Sequence, residues 1–224
     1  MTNKVIAIDG PSASGKSTVA KKVAVGLGFL YVDSGSLYRG VTWKALKEAV
    51  STSDAGKVAE MLKTVDIIFF VGDGAVRFKI DGIELKSEIR SIAVNENVSK
   101  IAAMPVVRTK VVTWLRDMRS FGNLVMEGRD IGTAVFPDAE YKFYLDASEE
   151  ERARRRFSEI HGGVEKITFT EVNESLKRRD AIDKGRKMDP LRVAQGAVIV
   201  DTTSMNIEQV AVYILDQLKP LLCK

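Results

Sequence analysis

Cysteine, histidine, long apolar runs and basic-aromatic clusters are all scarce here, and each scarcity removes a class of protein. One cysteine, Cys223, in 224 residues cannot close an internal disulfide, so it reads as a free surface thiol in a reducing compartment. The single histidine, His161, has no partner in view for work as a ligand or base, and it reads as a surface residue. No apolar run reaches the roughly eighteen residues of a membrane helix. Met-Thr-Asn-Lys leads straight into strand-like Val5-Ile-Ala-Ile8, so the chain reads as soluble, untargeted and cytoplasmic. Aromatic residues, at 7%, do not interleave with a basic patch, which argues against a nucleic-acid stacking platform. The D-x-x-G and N/T-K-x-D elements of a GTPase switch are missing. Net charge is +4, a modest excess that serves anionic small molecules as readily as nucleic acid.

What is present suits one full core with a small appended unit: 45% of residues are hydrophobic and 29% charged. Strand-like runs alternate with helical spacing from end to end, which predicts an α/β fold with a parallel sheet covered on both faces. The expected core strands are Val5–Ile8, Phe29–Val32, Asn123–Met126, Tyr141–Leu145 and Ala197–Val200, with helices over 17–26, 37–50, 55–65 and 207–218. One segment departs from the alternation. Between Ile67 and Leu85 two Asp-Gly pairs separate strand-like runs, which predicts hairpins with Val76, Phe78 and Ile80 on one face. Hairpins do not extend a parallel sheet, so the expectation is a separate antiparallel unit of about three strands.

Gly10-Pro11-Ser12-Ala13-Ser14-Gly15-Lys16-Ser17, continued by Thr18, fits G-x-x-x-x-G-K-[ST], and it lies after an apolar strand and at the start of a helix. Glycines let backbone N–H groups turn toward phosphates, and the helix N-terminus adds positive potential. Lys16 reaches the β- and γ-phosphates of a bound nucleotide, and the Ser17 hydroxyl helps to hold Mg2+. The loop leaves open what receives the phosphate. A small-molecule kinase needs a second anion site rich in arginine and a way to exclude water.

Several stretches offer that site. In Asp33-Ser34-Gly35-Ser36-Leu37-Tyr38-Arg39, at a strand's carboxyl end, Ser34 can cap the helix and Arg39 can face a phosphate; an ordinary capped helix with a solvated arginine fits equally. Gly128-Arg129-Asp130-Ile131-Gly132 follows another strand and presents an Arg-Asp pair in a tight turn. Glu149 to Arg156 is a helical charge run whose four arginines (152, 154, 155, 156), followed by Gly162-Gly163 as a hinge, suit either a solvated face or a lid. Arg179, Asp183 and Arg186 share one helical face, as a salt-bridge ladder or as part of a site.

With these motifs in hand, the chain resembles the bacterial cytidylate kinases over nearly its whole length. The resemblance rests on IDGPSASGKST, DSGSLYR, SKIAAMPVVR (Ser99–Arg108), GRDIGT with VFPDA, RRDAIDKGR with MDPL, and IVDTTSMNIEQV. It implies the P-loop nucleoside monophosphate kinase fold: a five-stranded parallel sheet with helices on both faces, a small antiparallel insert over 66–98, and a short helical lid near 154–170. Residues 1–65 and 123–224 would form the core. It implies transfer of the ATP γ-phosphoryl to CMP or dCMP by a monomer that needs neither nucleic acid nor membrane. The loop residues with Lys16 and Ser17 would serve ATP and Mg2+; separately, the place of Asp33 at a strand end suits it to hold a metal water. Arg39, Arg129 and Arg186 would bind the acceptor or transferring phosphate, with Ser34 beside them. Ser99, Arg108 and Asp130 would read cytosine, and Arg179 and Asp183 would meet the sugar. Glu127 departs from the aspartate more usual before Gly-Arg-Asp in the family.

Overall fold

The computed structural model describes residues 3–161 and 168–222. The expected hinge at Gly162-Gly163, the side chain of His161 and Cys223 lie outside these residues.

Strand β1 (Val5–Asp9) is buried along its whole length, and its period of two divides its side chains between two cores. Val5 and Ala7 pack into the core on one face, while Ile6 and Ile8 pack into the core on the other. Burial on both faces is why the run is continuously apolar rather than alternating. Each fully buried isoleucine contributes about 1.5–3 kcal/mol.

The remaining elements arrange themselves around this strand. They are α1 (Lys16–Leu27), β2 (Leu30–Asp33), α2 (Ser34–Lys47), α3 (Ala55–Thr64), β3 (Ile67–Gly72), β4 (Ala75–Ile80) and β5 (Ile83–Glu84). After these come α4 (Ile92–Ala102), α5 (Pro105–Asp117), β6 (Leu124–Gly128), β7 (Tyr141–Asp146), α6 (Glu149–His161), α7 (Phe169–Gly185), β8 (Val198–Asp201) and α8 (Ile207–Gln217). The sheet order is β3-β4-β2-β6-β1-β7-β8, and β2, β6, β1, β7 and β8 pair in parallel as the five expected core strands. Their carboxyl ends therefore lie on one edge, which carries Gly10, Asp33, Gly128 and Asp146. Helices α1 and α8 cover one face, and the core on the other face includes residues of α2, α3, α4 and α5.

Both Asp-Gly turns form as the sequence predicts. Asp73 and Gly74 (φ 51° and 70°), like Asp81 and Gly82 (φ 49° and 75°), take the paired positive φ of a tight hairpin turn. Val76, Phe78 and Ile80 are buried together on one face. The expectation that the hairpins stand apart from the parallel sheet is corrected, because β4 joins the edge of β2 in parallel at Tyr31 and Ala75. The physical reason is local. The Tyr31 N–H on the open edge of β2 needs an acceptor and finds the Gly74 carbonyl at 3.0 Å, so a single bridge suffices.

Helix α2 starts three residues earlier than expected. Asp33, and not Ser34, is its cap, accepting from the Ser36 N–H at 2.9 Å, and the Ser34 hydroxyl donates instead to the Glu127 carbonyl at 2.7 Å. Asp33 wins because it sits in the extended conformation that ends β2, with its carboxylate free to turn over the next N–H groups.

Candidate functional site

The 10–18 loop runs from the end of β1 into α1. A Cβ on Gly10 would lie 2.1 Å from the Leu145 carbonyl oxygen, so the loop can pass β7 only with glycine there. Gly15 begins α1 in the left-handed conformation (φ 85°) and supplies no side-chain cap, leaving the first N–H groups of the helix to an incoming anion. Lys16 is 5% exposed and folds back to donate to the Pro11 carbonyl at 2.7 Å. Burial, and then the charge of Arg129, lower its pKa to about 7.

This loop forms one wall of a cavity of about 570 Å3. The opposite walls carry Asp33, Ser34, Tyr38 and Arg39 from β2 and α2, Ser99 from α4, Gly128 to Asp130 after β6, and Arg179, Asp183 and Arg186 from α7 and its end. Most of the site residues expected from sequence thus converge on one space. Arg108 does not line it; it lies behind the wall, fully buried.

At the loop end, the Ser17 hydroxyl donates to Glu127 Oε1 at 2.6 Å, and Tyr31 donates to the same oxygen at 3.4 Å. Glu127 is 4% exposed; burial, followed by the neighbouring charge of Asp33, raises its pKa, and Lys16 opposes the rise. Asp33 is differently engaged. One oxygen caps α2 and the other meets Arg39 at 2.7 Å. Hard oxygen donors beside a phosphate cradle are what Mg2+ requires, and Ser17 with Glu127 supplies that set more directly than Ser17 with Asp33. No cluster of three or more His, Cys, Asp or Glu able to hold a metal occurs among the described residues.

On the acceptor side, a buried chain of charges runs behind the surface. Arg108 Nη2 donates to Asp130 Oδ2, Arg108 Nε to Asp189 Oδ2 at 2.8 Å, and Arg186 Nη2 to Asp130 Oδ1 at 3.0 Å. Burial raises the Asp130 pKa, and the two arginines pull against that rise. Arg186 therefore lies on Asp130 rather than beside Arg39. It has also left the helix: α7 ends at Gly185 and Arg186 is extended (φ −65°, ψ 141°), so the expected single helical face of Arg179, Asp183 and Arg186 is broken at its last member.

Nor is Asp183 a rung of an intrahelical ladder. Its close partner is Arg129, whose Nε donates to it at 2.9 Å across elements. Arg179 has no hydrogen-bond partner at its buried Nε, and burial with the charge of Arg129 lowers its pKa to about 10. Such a group is short of an anion. The four arginines of α6 divide between roles. Arg154 is solvated beside Glu150, whereas Arg152 is buried on Asp180 at 2.5 Å. Arg155 donates to the Thr202 carbonyl at 2.6 Å, and Arg156 lines the cavity.

Asp9 was missed from sequence. It is 3% exposed at the end of β1, and its two oxygens accept from the N–H groups of Ile131 and Gly132, each at 2.8 Å. It thereby ties the turn carrying Arg129 and Asp130 to the residue that precedes the phosphate loop. The available signal was an aspartate ending an otherwise apolar strand. Arg90 also lines the cavity and stands 3.9 Å from Asp33, in a stretch that carries no strand or helix signal in the sequence.

The sequence model of the family described as Cytidylate kinase matches residues 6–220. The chain is 45% identical over 205 residues to the cytidylate kinase of Caldanaerobacter subterraneus, covering 92% of this chain and 90% of that one. It is also 45% identical over 217 residues to that of Pediococcus pentosaceus, covering 96% of each. A solved structure of an uncharacterized protein from Eubacterium ventriosum shares the fold, with a TM-score of 0.52 at 10% identity, over 97% of this chain and 99% of that one.

Proposed function

The chain belongs to the cytidylate kinase family and phosphorylates CMP and dCMP with ATP, and from that premise we propose that the transfer is a direct in-line displacement across the cavity. An acceptor phosphate oxygen attacks the γ-phosphorus, the new P–O bond forms as the bond to the β-phosphate oxygen breaks, and ADP leaves. The acceptor phosphate is already largely dianionic near neutral pH, with a second pKa of about 6, so no general base is needed. The protein's task is to position the groups and neutralise charge. Lys16 faces the donor phosphates, and Arg39, Arg129 and Arg179 surround the acceptor phosphate and the group in flight. Ser17 and Glu127 would hold Mg2+, which when bound would supply positive charge against the transferring phosphoryl group.

Base selection rests chiefly on Asp130, fixed between Arg108 and Arg186 in the cavity wall. A carboxylate there accepts from the cytosine amino group, whereas uracil would present a carbonyl oxygen to it. Ser99 lies on the same wall. Asp130→Asn should therefore narrow the preference of kcat/KM for CMP over UMP by at least tenfold; an unchanged ratio would remove Asp130 from base reading. Asp183 faces the sugar in this reading, so Asp183→Ala should weaken CMP more than dCMP. Equal losses for the two substrates would refute a contact to the 2′-hydroxyl.

Lys16 gives a pH signature. A lysine whose pKa is lowered to about 7 is mostly neutral at pH 8, and a bound triphosphate restores its charge by raising that pKa again. ATP binding at pH 8 should then take up a substantial fraction of a proton, seen by calorimetry in buffers of different ionisation enthalpy, and ATP affinity should fall from pH 7 to 9. No uptake at pH 8 would show Lys16 charged in the empty site.

The core would act as a monomer, and the cytoplasm supplies both substrates; the expected lid near 154–170 falls partly on residues outside those described. No helix among the described residues is long and apolar enough to cross a membrane.

A further inference from the structure

Buried polar atoms are nearly always paired in folded proteins. Among the described residues three unpaired ones belong to side chains lining the cavity: Arg39 Nε, Arg179 Nε and the Tyr38 hydroxyl. The two arginines already have a task as cations of the phosphate site. Tyr38 has none, although it precedes Arg39 on α2 and is 7% exposed.

Its surroundings are those of the base pocket. The Arg108 guanidinium carbon stands 5.5 Å from the ring centroid, and Val98, Ser99 and Ala102 of α4 line the same cavity. Burial, and after it the charge of Asp130, raise the phenol's pKa, so the hydroxyl is a neutral O–H at any working pH. Meanwhile the guanidinium of Arg108 is spent. Its three nitrogens face Asp189, Asp130 and, at 3.5 Å, the Ala102 carbonyl. A pyrimidine entering beside Asp130 brings acceptor atoms as well as its amino group, and the wall needs a donor for them. The unpaired hydroxyl is such a donor, already oriented by a packed ring. Phenylalanine would fill the same volume without the cost of an unpaired buried hydroxyl, so the hydroxyl is a local stability defect until a partner arrives.

We propose that Tyr38 is a substrate-binding residue whose hydroxyl donates to the pyrimidine 2-carbonyl oxygen. The proposal rests on the reading of Asp130 and Ser99 as the base pocket. It assigns Tyr38 a different job from Asp130: the 2-carbonyl is common to cytosine and uracil, so Tyr38 supplies affinity for pyrimidines and Asp130 chooses between them.

The test is Tyr38→Phe, assayed beside Asp130→Asn with CMP and with UMP, together with thermal unfolding of the ligand-free proteins. Loss of one neutral hydrogen bond should raise KM about three- to tenfold, by the same factor for CMP and UMP, with kcat and the KM for ATP unchanged. The melting temperature without ligand should stay the same or rise, which a structural role for the hydroxyl would not allow. Unchanged KM values for both acceptors would overturn the proposal. So would a lowered melting temperature with a fall in kcat, or a loss confined to CMP. If Asp130→Asn leaves the CMP to UMP ratio untouched, the base-pocket reading fails instead, whatever Tyr38→Phe does.

Discussion

Replacing Arg129 by alanine should lower the single-turnover rate of phosphoryl transfer by about a hundred- to a thousandfold, while ATP affinity changes by less than about threefold. The position of the residue sets this expectation. Arg129 follows the end of β6 directly, where the parallel strands present their carboxyl ends, and a Cβ on the preceding Gly128 would lie 2.5 Å from the Ser34 hydroxyl, so the turn has little room to shift. Its Nε is fixed on Asp183 at 2.9 Å, its Nη1 donates to the Gly128 carbonyl at 3.4 Å, and the residue lines the cavity opposite the loop. A donor held in place before the reaction stabilises charge that appears only as the phosphoryl group moves, so its loss falls on kcat and not on ground-state ATP binding. An internal control comes with the variant. Arg129 is the main charge lowering the pKa of Lys16, so in Arg129→Ala the proton uptake on ATP binding should move to higher pH. Unchanged single-turnover rates would remove Arg129 from the transfer step.

Arg108→Met should cost about 3–5 kcal/mol of folding stability at pH 7, measured by chemical denaturation, together with most of the affinity for CMP. Arg108 is fully buried, and its removal leaves Asp189 without its Nε donor and Asp130 with Arg186 alone. Breaking one side of a buried charge pair strands the other charge. The pH dependence has a definite sign. Burial already raises the pKa of Asp130, and loss of Arg108 raises it further. The native variant then binds more protons than its unfolded chain, so its deficit should shrink as pH falls from 7 toward the ordinary carboxylate range. The double variant Arg108→Met with Asp130→Asn should regain part of the lost stability but not CMP affinity. A deficit below about 1 kcal/mol, or one that grows as pH falls to 5, would show that the pair is not a buried charge network.

Much of this molecule is legible from its sequence because local signals and tertiary demands agree. Val5 to Ile8 is apolar at every position because both its faces are covered, and the Asp-Gly pairs at 73–74 and 81–82 enforce their turns whatever surrounds them. The phosphate loop is legible for the same reason: each residue type answers a backbone requirement within eight positions. What the sequence did not disclose depends on distant partners. Nothing near Ser34 says that its hydroxyl will be drawn to the Glu127 carbonyl, leaving Asp33 to cap α2. The spacing of Arg179, Asp183 and Arg186 promises one helical face, yet the helix stops at Gly185 and Arg186 turns to Asp130. Asp9 looks like a strand end until the turn after β6 is folded over it. The apolar positions of α4 and α5 follow directly on a hairpin region whose period is two, which masks their helical spacing.

Release of ADP with Mg-ATP, measured against CMP, dCMP, UMP, AMP, GMP, TMP, shikimate and no acceptor, tests most directly whether the phosphate held at 10–18 passes to a cytidine nucleotide read by Asp130. The expected result is release that depends on CMP or dCMP, weaker with UMP, and near background without acceptor. Release that needs no acceptor, or that prefers a purine nucleotide or shikimate, would leave the phosphate loop intact and contradict the assignment of the acceptor site.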